Sequence, residues 1–410
     1  MNNMWMGNIP NDWKVTKLKY IGQYINGYAF KPDEWCEDGL PIIRIQDLTG
    51  SNDDPNFYKG TIPEKYRIKN GDILASWAAT LDAFLWDKGE GWLNQHIFKA
   101  VPNLEEVTES YFYWLLKAAM HHLNNDNKHG IMMQHLTLSV FNNFSVPLPS
   151  IEQQKKISEE IRRKCLRTDT LIANVSMQIE KLSNYKQRVI AELVTRGVSD
   201  DIPQKDSEED WLGTVPKHWI IERGKNLFYE TDARSSDGSE ELLTVSQYTG
   251  VTPRSQKNVN MFEALTLEGY KICEIGDIAA NTMWLWAGAI GVSDYRGVIS
   301  PSYNVYRQKD ATYVPKYLDY LLRSPMLVQK YASLSTGIRA SRLRLYPKDF
   351  LNIKFPVPTK EEQKVIIERI EKKVSKIDSL IAIKRSKIDK LEQFKKLLIY
   401  EYVTGKKEVQ

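Results

Sequence analysis

Residues 161–193, IRRKCLRTDTLIANVSMQIEKLSNYKQRVIAEL, repeat an apolar position at alternating steps of four and three. The positions selected are Ile161, Cys165, Thr168, Ile172, Val175, Ile179, Leu182, Lys186, Val189 and Leu193, and eight of the ten are apolar. That 3.5-residue period keeps one seam facing a partner helix along the whole run, the pattern of a coiled coil. The helix containing it extends from about Glu152 to Thr195, roughly 65 Å at 1.5 Å per residue. An ordinary globular helix is only about 10–14 residues long, so this segment predicts a rod rather than a helix lying on its own domain.

The rod occurs twice. Adding 209 to each number gives Ile370, Val374, Ile377, Ile381, Lys384, Ile388, Leu391, Lys395, Leu398 and Tyr402, again with eight apolar members. The repeat also reaches outward from the helices. Trp5-Met6-Gly7-Asn8-Ile9-Pro10-Asn11-Asp12-Trp13 returns as Trp211-Leu212-Gly213-Thr214-Val215-Pro216-Lys217-His218-Trp219, and Gly71-Asp72-Ile73 returns as Gly276-Asp277-Ile278. Pro147-Leu148-Pro149 with Glu152, Gln154 and Lys155 returns as Pro356-Val357-Pro358 with Glu361, Gln363 and Lys364. A repeat of this length is a duplicated domain, not a solenoid unit of roughly 20–50 residues.

The copies divide the chain into a first globular domain at 1–150, a helix at 151–198, a linker at 199–210, a second domain at 206–358 and a helix at 359–405. Each helix follows a Pro-x-Pro, which punctuates a boundary. Within the domains, short β-rich runs (Leu40–Ile45, Asn70–Leu74, His96–Val101, and Leu242–Val245, Gly276–Ala280, Tyr303–Tyr306) precede helices expected at Thr108–Leu123 and Pro315–Tyr331. Strands and helices do not alternate regularly, so the fold class is α+β: two tandem domains, each followed by a long helix. Matching seams predict that the helices pair; antiparallel pairing, with pseudo-twofold symmetry, is favoured, although parallel pairing also satisfies the heptads. The pairing residues are then Ile161, Ile172, Val175, Ile179, Leu182, Val189 and Leu193 against Ile370, Val374, Ile377, Ile381, Ile388, Leu391 and Leu398.

The net charge of +4 is unevenly distributed. Residues 1–150 carry −4 and residues 206–358 are neutral, whereas 151–205 carry +3 and 359–410 carry +5. Non-specific nucleic-acid affinity scales with neutralised phosphates, so the domains alone are not tight binders of a polyanion. No run of about 20 apolar residues or signal-peptide pattern is visible. Cys36, Cys165 and Cys273 are scattered and odd in number. A soluble cytoplasmic protein is expected.

No catalytic motif is found: no phosphate-binding glycine loop, no G-x-G-x-x-G after a strand, no H-E-x-x-H, no G-x-S-x-G and no Asn/Asp-Pro-Pro-aromatic. His121, His122, His129 and His135 lack the spacing of a metal site, and a loop or surface role is expected for them. More informative are equivalent loops whose side chains differ. Residues 130–136 (GIMMQHL) correspond to 337–344 (GIRASRLR), and Arg339, Arg342, Arg344 and Lys348 form the densest basic cluster of either domain. Arginine can grip phosphate or guanine bidentately and glutamine can do the same with adenine. Lys128, His129, Gln134 and His135 are the first domain's candidates in that loop. Asn94, Gln95 and His96, and Ser302 and Tyr303, precede matching strands, while Trp77 and Trp284 follow the matched Gly-Asp-Ile motifs. A bland alternative is a solvated loop or, for the tryptophans, a core position.

Together these features resemble the DNA specificity subunit of type I restriction–modification systems. Most specific are residues 205–219, from Lys205-Asp206-Ser207 to Trp219, and the two Pro-x-Pro…Glu-x-Gln-Lys junctions. Leu171-Ile172-Ala173 with Leu380-Ile381-Ala382, and Val194-Thr195 with Val403-Thr404, add to the resemblance. The first copy lacks the Lys-Asp-Ser lead-in. The resemblance implies two target-recognition domains, each reading half of a split site on double-stranded DNA, and helices that set the spacer between the halves. It implies two methyltransferase subunits docked at the helices, with restriction (endonuclease and translocase) subunits as further partners. No cofactor is implied in this chain; S-adenosylmethionine, ATP and Mg2+ belong to the partners, and the chain itself is non-catalytic. Two other readings are a scaffold that uses the coiled coil without DNA, and a carbohydrate-active or carbohydrate-binding protein suggested by 11 Trp and 21 Tyr.

Overall fold

A computed structural model describes residues 5–50, 55–78, 81–128, 138–199, 201–257, 266–337 and 343–409. The chain divides into two compact units: residues 1–176 with 386–410, and residues 177–385. The fold is α+β throughout.

In the first unit, β1 (Lys14–Lys17) pairs antiparallel with β6 (Ser145–Leu148), at the entrance to the first long helix, Ile151–Arg196. Between them, β2 (Gly22–Asn26), β3 (Ile73–Ser76), β4 (Asp82–Leu85) and β5 (Ile97–Pro102) form an antiparallel sheet in the order β2-β5-β3-β4. The helix Glu109–Lys128 covers it, burying Tyr111, Phe112, Leu115 and Leu116 completely. The second unit repeats this plan. There β7 (Ile220–Arg223) pairs with β12 (Lys354–Val357), and β8 (Phe228–Thr231), β9 (Ile278–Ala280), β10 (Ile290–Val292) and β11 (Asn304–Gln308) adopt the order β8-β11-β9-β10. The single helix expected at Pro315–Tyr331 is two, Pro315–Leu322 and Pro325–Leu334. Pro325 has no N–H for an intrahelical bond, and its ring opposes a helical residue before it.

The differences lie in the accessory β structure. The first unit adds a four-stranded sheet from Leu40–Ile43, Phe57–Tyr58, Arg67–Ile68 and Gly91–Leu93, with a parallel register of Ile42 to Trp92. The second unit instead has a Leu243–Ser246/Gly250–Pro253 hairpin and a Lys271–Cys273/Gly297–Ile299 pair. Common sheets with different additions give equivalent frames that present different surfaces.

The second long helix spans Lys360–Val403. Both long helices open on a reciprocal cap. Ser150 Oγ accepts the Gln153 N–H while Gln153 Oε1 accepts the Ser150 N–H, and Thr359 with Glu362 does the same. Such capping boxes satisfy N–H groups that the first turn would otherwise leave unpaired.

Within each unit the helix segments run antiparallel. In the first, Asp169 meets Lys395 at 2.6 Å and Glu160 meets Tyr402 at 3.5 Å; in the second, Lys186 meets Asp378 at 2.8 Å and Gln178 meets Lys384 at 2.5 Å. One number rises as the other falls. Between residues 166 and 188 only Thr168, Ile172, Val175, Ile179, Leu182 and Lys186 are shielded from solvent. Between 375 and 397 the shielded residues are Ile377, Ile381, Lys384, Ile388, Leu391 and Lys395. Toward the ends, Ile161, Val189, Leu193, Ile370 and Leu398 are buried, and Val374 is half-buried.

Each globular core is finished by the end of a long helix. Leu398, Ile399, Tyr402 and Val403 join Trp5, Met6, Tyr111 and Leu115, and the Tyr111 hydroxyl donates to the Val403 carbonyl at 3.2 Å. Val189, Ile190, Leu193 and Val194 likewise join Trp211, Leu212 and Tyr317, whose hydroxyl donates to the Val194 carbonyl at 2.8 Å. The first domain therefore closes on the second helix, and the second domain on the first.

Candidate nucleic-acid interface

The matched Gly-Asp-Ile motifs build turns. Gly71 and Gly276 sit at φ 93° and 89°, a conformation glycine adopts without the steric penalty of a Cβ. Asp72 accepts the Lys69 N–H and pairs with Lys99 Nζ at 2.7 Å. Asp277 accepts the Glu274 N–H and holds Arg307 through two 2.7 Å bonds. These carboxylates fix the strands from which the neighbouring loops leave.

At one end of the first sheet, the loops after β3 and before β5 bring Trp77, Asn94, Gln95 and His96 together. Trp77 Nε1 donates to Asn26 Oδ1 at 3.3 Å, and its ring stacks on buried Phe98 and meets His96 edge-on at 5.5 Å. Asn94 Oδ1 accepts the His96 N–H, and Gln95 Nε2 lies 3.5 Å from His96 Nε2. Trp77 is thus half-buried on the core, while His96 is exposed.

The equivalent loops of the second unit differ in chemistry. Asn281 Nδ2 donates to the Tyr303 hydroxyl at 2.8 Å, and Thr282 Oγ1 donates to the Ser302 carbonyl at 2.8 Å. Burial raises the Tyr303 phenol above its ordinary range despite the Asn281 bond. Trp284 stacks on Trp286 with ring centroids 5.7 Å apart, yet stays half exposed. Ser302 is exposed, as are Arg344 and Lys348. Arg344 exchanges two backbone hydrogen bonds with Thr336, and Lys348 lies on the short helix Pro347–Asn352. His129, Gln134, His135, Arg339 and Arg342 fall outside the described residues, and only the backbone of Lys128 is described.

Two of the four histidines have structural partners. His121 Nε2 lies 3.0 Å from Asp82, which also binds Lys117 at 2.9 Å. Burial would raise the Asp82 carboxyl, but the His121 hydrogen bond and the Lys117 charge outweigh it, so its pKa is lowered. His122 stacks on Trp5 at 5.7 Å. Among the described residues no group of His, Cys, Asp or Glu is arranged to hold a metal ion, and no helix is long and apolar enough to cross a membrane.

One surface feature escaped the sequence reading. Tyr248, at the tip of the Leu243–Pro253 hairpin, is 82% exposed, and Arg323 clamps the tip by donating to the Tyr248 carbonyl at 2.8 Å. The turn-forming Tyr248-Thr249-Gly250, flanked by alternating apolar residues, was the available signal.

Residues 10–181 match the family model for the type I restriction modification DNA specificity domain. The chain is 25% identical over 405 residues to the type I restriction enzyme EcoBI specificity subunit of Escherichia coli, covering 91% of this chain and 81% of that one. It is 26% identical over 425 residues to the MjaVIII specificity subunit of Methanocaldococcus jannaschii, covering 98% and 94% respectively. A chain of the structure reported as the "Structural basis underlying complex assembly andconformational transition of the type I R-M system" superposes with a TM-score of 0.62 at 15% identity, over 97% of this chain and 98% of that one. In sequence the chain is similar to the DNA specificity subunits of type I restriction enzymes, and in fold it is similar to a chain of a type I R-M system.

Proposed function

We propose that this chain supplies the address of a type I enzyme and none of its chemistry. Each domain reads one half of a bipartite DNA site, and the paired helices fix the spacer and seat the partners. The observation that carries this reading is the repeated sheet whose loops differ at matched positions: Trp77, Gln95 and His96 in one, Thr282, Ser302 and Tyr303 in the other. Identical frames bearing different side chains suit two half-sites of different sequence, with roughly 1–3 kcal/mol of discrimination per good bidentate base contact.

The domains are not basic, so phosphate neutralisation is shared with partners. Those partners are two methyltransferase subunits, which transfer methyl from S-adenosylmethionine to adenine N6 after flipping the base. Restriction subunits using ATP and Mg2+ complete the enzyme, and the assembly works in the cytoplasm beside its DNA. Half-sites read from one face lie near one helical turn apart, a separation that a stiff helix pair can hold.

The test is base-resolution mapping of adenine methylation in cells expressing the chain with its neighbouring methyltransferase subunit, against the methyltransferase alone. A two-part motif that needs this chain is expected. A stable complex that yields no new methylation would remove the reading. Exchanging residues 1–150 for those of a relative should change one half-site only, and four residues inserted near Leu193 should lengthen the spacer.

A further inference from the structure

We infer that Trp284, with Met283 beside it, is an apolar wedge that enters a base step of the half-site read by the second unit. The inference rests on the DNA-specificity reading above and adds a mode of contact to it: stacking between bases rather than recognition of base edges.

Residues 281–289 hold themselves rigid. The Trp284 N–H donates to the Asn281 carbonyl at 3.0 Å, and the Ala289 N–H donates to the Trp284 carbonyl at 3.1 Å. The Met283 N–H donates to Asn281 Oδ1 at 3.2 Å, and Trp286 Nε1 donates to the Met283 carbonyl at 2.9 Å. Below the tip, Leu285 is fully buried, and Gly288 turns the chain at φ 89° against Val328. Asn281 and Thr282 tie the loop to Tyr303 and Ser302.

Tryptophan is a highly buried residue on average. Here Leu285 fills the core while Trp284 remains 50% exposed and Met283 39% exposed. Because the backbone is already ordered, binding loses little conformational freedom when the ring is covered. Trp286, stacked on Trp284 with ring centroids 5.7 Å apart and donating its Nε1–H to the Met283 carbonyl, backs one side of the exposed ring and leaves the other to stack on a base. Side chains of this kind inserted at a flexible step unstack it and bend the duplex. In the first unit the corresponding loop keeps Trp77 half-buried on Phe98 and exposes His96. The two units therefore contact DNA differently.

The experiment uses the full chain in complex with its methyltransferase subunit, on duplexes with 2-aminopurine at successive positions of the second half-site. Brightening is expected at a step separate from the methylated adenine. W284A should abolish it and weaken binding roughly ten- to hundredfold, the range of base–aromatic stacking. W284F should keep most of both, and the first half-site should be read as before. Unchanged brightening and affinity in W284A would overturn the wedge. Loss of methyltransferase association in W284A would also overturn it, marking the tip as a protein contact. If the unmutated complex shows no bipartite methylation, the DNA-specificity reading fails, and the wedge fails with it.

Discussion

Gln154 and Gln363 make the same three hydrogen bonds, one set in each unit, and both side chains are fully buried. Gln154 Oε1 accepts the Thr108 N–H at 2.7 Å, and its Nε2 donates to the carbonyls of Glu106 and Pro149. Gln363 Oε1 accepts the Val314 N–H at 2.7 Å, and its Nε2 donates to the carbonyls of Thr312 and Pro358. Each glutamine ties the start of a long helix to the loop that precedes the sheet-covering helix. Replacing either with alanine strands a buried N–H and two carbonyls, at a cost of about 3 kcal/mol. Glutamate is expected to be worse, since it turns an oxygen toward two carbonyls. Urea denaturation of Q154A, Q154E and the matched Gln363 variants checks both expectations.

Ending the chain at Leu397 removes Leu398, Ile399, Tyr402 and Val403 from the first core. Amides of the Glu109–Lys128 helix should then lose protection in hydrogen exchange, while those of Pro315–Leu322 keep theirs. The milder Tyr317→Phe leaves the Val194 carbonyl without its donor and should cost about 1 kcal/mol.

Along the rods, shielding separates positions of similar chemistry. Ile377 is buried and Leu166 is 65% exposed. Ile377→Ala should cost about 2–4 kcal/mol, and Leu166→Ala no more than about 0.5 kcal/mol. Lys395→Ala, which breaks a partly solvated pair with Asp169, should cost about 0.2–1 kcal/mol. Thermal denaturation of the three variants checks this ranking.

Two half-buried aspartates should act oppositely in acid. Asp82 has a folded pKa lowered below its ordinary 3.8, so its stabilisation is present above that value and is lost as pH falls through the folded pKa. For Asp319, burial raises the folded pKa despite Arg323 and the Val292 N–H. Its ionisation therefore favours the unfolded chain, and stability falls as pH rises from 3.8 through the folded value. D82N should flatten the acid loss of stability, and D319N should steepen it. Denaturation midpoints measured from pH 3 to pH 6 give both slopes.

The architecture was legible because duplication and heptad spacing are long-range patterns that survive local ambiguity. The caps, Ser150-x-x-Gln153 and Thr359-x-x-Glu362 just after each Pro-x-Pro, carried a signal that the sequence reading passed over. The closure of each domain on the other helix was not legible: Val194 and Val403 are copies of each other, and nothing in their sequence tells which tyrosine each will meet. In the candidate interface, residue type alone could not separate Trp77 from Trp284. Their difference arises from a neighbour, Phe98 beneath one ring and buried Leu285 beside the other. Tyr248 was hidden in a short turn, and its clamp comes from Arg323, far away in sequence.

The Tyr111–Val403 bond also sets an order of birth. The second unit, residues 177–385, is one unbroken stretch, whereas the first needs residues 386–410. At about 5–20 residues per second on the ribosome, the first domain waits roughly 12–50 s after its own helix begins before the chain that seals it is made. The half made first is the half completed last. During that interval its unsealed Trp5, Met6 and Leu115 face the cell, a window for chaperones and for the helix end of a neighbouring nascent chain.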